Sequence, residues 1–104
     1  MQIVNEATSV ELSAAIRGDD GSLVAPTTLK YRLDCETSGK AITAWTSLTP
    51  EAITAIRIPA SSNAIQDDGQ PFEDKAVTIM ADEGLLTQQV EVKKYRVRNL
   101  GGIG

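Results

Sequence analysis

The side chains that could carry chemistry fall into three groups. The densest is basic. Lys93, Lys94, Arg96 and Arg98 stand close together near the C-terminus. In an extended strand alternate residues share a face, so Lys94, Arg96 and Arg98 form a stripe. Lys30 and Arg32 extend that stripe if their strand lies alongside. Such a surface docks an acidic partner or contacts DNA. Its bland counterpart is a solvated sheet face whose charges discourage edge-to-edge pairing, and this reading is preferred. The second group is acidic: Asp19-Asp20, Asp67-Asp68, Glu73-Asp74 and Asp82-Glu83. Calcium takes several oxygen ligands, and Asp67, Asp68, Glu73 and Asp74 are the best set to supply them. None of these matches an EF-hand loop, and acidic residues in turns are ordinarily turn formers. The third group is one residue. Cys35 is the sole cysteine and has the apolar parity of its strand, so it reads as a small buried hydrophobe.

Other absences narrow the chemistry. The chain has no histidine, which removes the usual general base and the commonest metal ligand. A thiolate nucleophile at Cys35 would lack its base. No Gly-x-Ser-x-Gly and no phosphate-binding glycine loop occurs. The expectation is no enzymatic activity, no cofactor and no metal. The net charge of -4 and the pI of about 4.7 argue against a dedicated nucleic-acid binder. One cysteine forms no internal disulfide. No apolar run approaches the roughly 20 residues of a membrane span. Met1 to Glu6 lacks the basic start and apolar centre of a signal peptide, so use from the cytosol of the producing cell is expected.

The elements that position these groups are strands. Leu29, Tyr31, Leu33 and Cys35 alternate with Lys30, Arg32, Asp34 and Glu36, which reads as a strand with one buried and one wet face. Ser38-Gly39 turns the chain, and Ala41 to Leu48 returns with the only tryptophan, Trp45. Trp45 and Tyr31 read as core anchors; a Trp45 at a strand end would instead be an interface anchor. Thr8 to Arg17 alternates around Val10, Leu12, Ala14 and Ile16. Gly18 to Gly21 is a tight turn, and Leu23-Val24 a short strand ended by Pro26. Ala52 to Ile58 reads as a strand despite Thr49-Pro50, a possible helix start. Ala60 to Pro71 is a compact loop with Ala64-Ile65 tucked inward. Ala76 to Ala81 is a strand, Asp82-Glu83-Gly84 a hairpin turn, and Leu85 to Arg98 the last strand. Its parity switch between Val92 and Tyr95 suggests a bulge near Lys93-Lys94.

With 104 residues the chain is one domain. Residues 1–7 form an N-terminal arm, 8–98 the domain, and 99–104 a glycine-rich flexible tail. About seven short strands with regular turns predict an all-β antiparallel sandwich, immunoglobulin-like or fibronectin III-like.

Four stretches carry a resemblance that spans Val10 to Leu100: Tyr31-Arg32-Leu33-Asp34-Cys35, Trp45-Thr46, Ser62-Asn63-Ala64-Ile65, and Tyr95, Val97 and Asn99-Leu100. Together they resemble small immunoglobulin-like structural proteins of tailed bacteriophages. Trp45 follows the central strand, where a fibronectin III domain carries its core tryptophan on the second. The resemblance implies a non-enzymatic virion component, assembled in the host cytoplasm. Its expected partners are other virion proteins: portal, adaptor, tail or major capsid protein. Multiple copies or a homo-oligomer are expected, and neither direct DNA contact nor a membrane. The head–tail junction or tail leads, because the basic last strand and the two ends suit a multi-partner joint; capsid decoration follows. The partner-binding residues expected are Lys93, Lys94, Arg96, Arg98, Leu100 and Ile103. A carbohydrate- or cell-surface-binding module is the alternative from another class.

Overall fold

The computed structural model describes residues 2–66 and 69–100. They form an all-β fold of two sheets. The strands are β1 (Gln2–Asn5), β2 (Val10–Ala15), β3 (Leu29–Cys35), β4 (Lys40–Ser47), β5 (Ile53–Ile58), β6 (Phe72–Ala81) and β7 (Gln89–Arg98). A single 3₁₀ turn spans Ala60–Asn63. The larger sheet runs β1-β7-β6-β3-β4, and the smaller is β2-β5. All pairings are antiparallel except β1 with β7, which is parallel.

The alternation read in β3 places Leu29, Leu33 and Cys35 in the interior, with Tyr31 half-buried against it. Val10 and Ala14 of β2, with Ile16 just past its end, turn inward to meet Ile56 and Ile58 of β5. Val77 and Ile79 of β6 and Tyr95 and Val97 of β7 complete the core. Each buried Val, Ile or Leu contributes about 1.5–3 kcal/mol through removal of apolar area from water. The β3–β4 turn closes on Gly39, whose φ of 72° requires no side chain.

At one end the interior is polar. Glu73 and Lys75 point inward from β6 and are both 0% exposed, 3.1 Å apart. The long loop meets them. Both Glu73 carboxylate oxygens accept from the Gln66 N–H at 2.8 and 2.9 Å, and Lys75 Nζ donates to the Ala64 carbonyl at 3.4 Å. Beside them the Tyr95 hydroxyl donates to Asn63 Oδ1 at 2.5 Å. Asn63 Nδ2 in turn donates to the Thr8 carbonyl at 2.7 Å, and the Asn63 carbonyl accepts from Ala7 N–H. One buried asparagine thus ties the loop, the last strand and the entry to β2. Burial pushes the Tyr95 phenol well up from its ordinary value.

Several expectations are corrected. Residues 2–5 of the segment read as an arm form β1, because Gln2 to Asn5 match Tyr95 to Arg98 in register. Leu23-Val24 is not a strand: Leu23 makes one isolated bridge with Arg17, and both residues are exposed. The last strand starts at Gln89, since Leu85 to Gln88 close the turn after Gly84. It carries no bulge; β6 and β7 pair without a register shift from Phe72–Arg98 to Ala81–Gln89. The parity change has another cause. Val90 and Val92 face outward and are exposed, so β7 simply places apolar residues on its wet face there. The tail beyond Leu100 lies outside the described residues.

The polar end generates a stability prediction. Lys75→Met leaves Glu73 buried beside an apolar side chain and costs about 3–5 kcal/mol. Arg57→Ala, which breaks the exposed 3.2 Å pair with Glu11, costs less than about 1 kcal/mol. Urea denaturation of both variants checks the contrast.

Candidate functional site

The basic strand comes first. Lys94, Arg96 and Arg98 do share the outer face of the larger sheet, and Lys93 belongs to the opposite face of the strand. Register sets Arg96 opposite Asp74. Its Nε and a terminal nitrogen donate to the two Asp74 oxygens at 2.7 and 3.3 Å, with the guanidinium 5.5 Å from the Phe72 ring centre. The Arg96 hydrogen bonds hold the Asp74 carboxyl below its ordinary range. Lys94 pairs with Glu36 at 3.1 Å and Lys93 with Glu91 at 3.0 Å. Arg98 is exposed and has no ion pair among the described residues. Most of the stripe's charge is therefore matched by neighbouring acids.

Lys30 and Arg32 do not extend the stripe, because β6 lies between β3 and β7. Arg32 forms a two-bonded fork with Asp34 at 2.9 and 2.8 Å, and Lys30 pairs with Glu83. Leu100 is exposed, but its N–H donates to the buried Glu6 carboxylate at 2.7 Å, which fastens the strand end to the N-terminal segment. Ile103 lies outside the described residues. So do Asp67 and Asp68. Of the other calcium candidates, Glu73 points inward to Lys75 and Asp74 outward to Arg96, so the two diverge. Among the described residues no three acidic or thiol side chains gather as a metal site would require.

Trp45 is not a core residue. It lies on the outer face near the open edge of β4 and is 39% exposed. Lys30 Nζ stands 4.6 Å from its ring centre and the Arg32 guanidinium carbon 5.7 Å. A register shift in β4 between Thr43 and Thr46 puts two residues, Ala44 and Trp45, opposite Arg32 and re-aims the indole. A groove of about 390 Å³ runs past Trp45, lined by Thr28, Leu29, Lys30, Ser47 and Glu83.

The second cavity was not legible as a site. It measures about 330 Å³, and its lining includes Arg17, Val24, Asp82, Leu86 and Gln89. Three chain segments meet there. Asp82 has a φ of 55° and organises the junction. Its carboxylate accepts from the Thr87 hydroxyl at 2.7 Å and from the Thr27 and Thr28 N–H groups at 2.6 and 3.4 Å. Those bonds, Thr87 first, hold its carboxyl below the ordinary range. Gln89 Nε2 donates to the Arg17 carbonyl at 2.7 Å, binding the β7 start to the first turn. Around this polar frame Leu23, Val24, Leu85 and Leu86 are all exposed, Leu86 fully. A signal was available in the sequence. Leu85-Leu86 and Leu23-Val24 are consecutive apolar pairs, and a half-buried strand cannot turn both members of a pair inward.

Comparison with protein families, curated proteins and solved structures found no match to this chain. The site is thus read from its own geometry. The cavity beside Asp82 sets exposed Val24 and Leu86 against a hydrogen-bonded polar frame.

Two measurements follow. Folding lowers the Asp82 pKa, so its stabilisation is fully present above the unfolded value of about 3.9 and is lost as pH falls through the lower native value. Asp82→Asn is weaker at neutral pH and loses less stability in acid than the wild type; urea midpoints against pH give the comparison, and overlaid acid limbs would assign the effect to other carboxylates. Trp45→Ala costs less than about 1 kcal/mol, whereas Tyr95→Ala, at a buried site, costs about 3–5 kcal/mol. Iodide quenching of the sole tryptophan reports its exposure directly.

Proposed function

We propose that this chain is a non-enzymatic structural protein of a tailed-phage virion, joined to other virion proteins at the head–tail junction or tail. The resemblance of Tyr31 to Cys35, Ser62 to Ile65 and Tyr95 to Leu100 supports the virion class. The observation that carries the assembly role is the exposed aliphatic end formed by Leu23, Val24, Leu85 and Leu86. Scattered single apolar residues on a surface need no partner, but a cluster held by fixed hydrogen bonds is the form of a docking patch. The partners in this reading are portal, adaptor or tail proteins, with the major capsid protein as the decoration alternative.

The strand order supports an immunoglobulin-like arrangement within that reading. β3, β6 and β7 take the places of strands C, F and G, and β4 sits where the variable-type sheet adds a strand beyond C. β2 and β5 take the places of B and E.

Trp45 favours a second reading, a glycan-binding module, because it is an exposed aromatic beside a groove. Lys30 already stands over the indole, which counts against sugar stacking there. Loss of glycan binding in a folded Trp45→Ala variant would move the assignment to this class.

Quantitative mass spectrometry of purified particles tests the first reading. A low, ring-like copy number relative to the capsid protein is expected. A ratio near one per capsid subunit would make the chain a decoration protein, and absence from particles would end the virion reading. Leu86→Asp is expected to change stability by less than about 0.5 kcal/mol while removing the chain from particles.

A further inference from the structure

The smaller sheet has two strands, so β2 and β5 each keep one open edge. Which backbone groups face the open edge of β5 follows from one bond. Ile16 N–H donates to the Ala52 carbonyl at 2.7 Å. Hydrogen-bonded pairs alternate along an antiparallel ladder, so Ala14–Thr54, Leu12–Ile56 and Val10–Ile58 are the bonded pairs. The N–H and C=O groups of Ile53, Ala55 and Arg57 therefore point away from β2. No hydrogen bond among the described residues reaches the backbone groups of these three.

The four open edges differ. β1 offers four residues. β4 carries two register shifts, and such irregularities keep edges from pairing. β2 presents Glu11, Ser13 and Ala15, so a strand added there would cover no large exposed apolar side chain. β5 is regular, lacks proline, and leaves Ile53 57% exposed. Its one charge, Arg57, is matched by Glu11 at 3.2 Å.

We infer that β5 is the pairing edge of a symmetric dimer, with a second copy of this chain as its occupant. Antiparallel pairing about Ala55 sets Ile53 opposite Arg57 of the copy, Ala55 opposite Ala55, and Arg57 opposite Ile53. All three outward residues then exchange both backbone bonds with their opposites. Shifting the register by two residues in one direction brings Pro59, which has no N–H, opposite Ile53; in the other it sends Arg57 past the strand, to Glu51. The central register also suits the charges. Arg57 meets Ile53, not its own copy, and its aliphatic stem covers that exposed side chain. The two small sheets become one four-stranded sheet, β2-β5-β5-β2. This dimer does not depend on the virion reading, and particle incorporation does not test it.

Sedimentation of the full chain at about 100 µM, which populates dimers of micromolar Kd, is the first test. A mass of twice 11.1 kDa is expected. Ala55→Lys sets two lysines face to face and Ala55→Glu two glutamates, and like charges directly opposite destabilise a pair. Each variant alone is expected to fall to the monomer mass, and their mixture to regain the dimer. Hydrogen exchange on the wild type gives an independent readout: the Ile53, Ala55 and Arg57 amides exchange more slowly at high protein concentration than at low. A wild-type monomer, a variant that dimerises like the wild type, or exchange at these amides that ignores concentration would each overturn the proposal.

Discussion

Five strands lie over two in this protein, and that mismatch governs the rest of the structure. Two strands cannot cover the inner faces of five, so part of the larger sheet's inner side must be closed by something other than a strand. At one end the 60–66 loop does this. A loop brings backbone polar groups with it, and buried polar groups must be bonded. Glu73, Lys75, Asn63 and Tyr95 are the partners that make the closure possible. They sit at inward positions that a fully apolar core would have given to Val or Ile. The polar cluster is therefore a consequence of the missing strands.

The same mismatch shapes the surface. The outer face of the larger sheet is largely wet, and most of its charges are arranged in matched pairs: Arg96 with Asp74, Lys94 with Glu36, Arg32 with Asp34. Surface pairs of this sort add little stability, but they leave a face with little net field. A basic stripe read from one strand loses its meaning once the adjacent strands supply acids. Exposed apolar residues stand on that face too, Val90 and Val92 among them, and others lie in the loops near Asp82. There Asp82 is hydrogen-bonded to Thr27 and Thr87, and Leu23, Val24, Leu85 and Leu86 are exposed. The open edge of β5 is the complementary feature, a row of backbone groups on the layer that lacks strands.

Much of this architecture is legible in the order of residue types. Strict alternation in Leu29 to Cys35, near-alternation in Val10 to Ile16 and the placing of Ile56 and Ile58 about Arg57 mark three strands, because side chains of a strand must alternate. Gly39 and Gly84 mark turns that need positive φ. Burial of Cys35 follows from its parity. These are local statements, and each depends only on the neighbours in the chain.

What tertiary structure alone decided is which faces and edges meet. Trp45 sits among apolar residues in the sequence, yet a register shift against β3 turns it out to Lys30 and Arg32. Val90 and Val92 have core-like chemistry, but they stand on the side of β7 that no second sheet covers. Residues 2–5 look like a loose lead-in until β7 offers an edge for parallel pairing. In the sequence Glu73 stands among the acidic turn residues, and only the return of the long loop gives it and Lys75 buried partners. For β1 the deciding contact joins the two ends of the chain; for Trp45, Glu73 and Lys75 it joins neighbouring segments that only folding lays against one another. Alternation fixes which way a side chain points relative to its own strand, and pairing between distant strands fixes what it finds there.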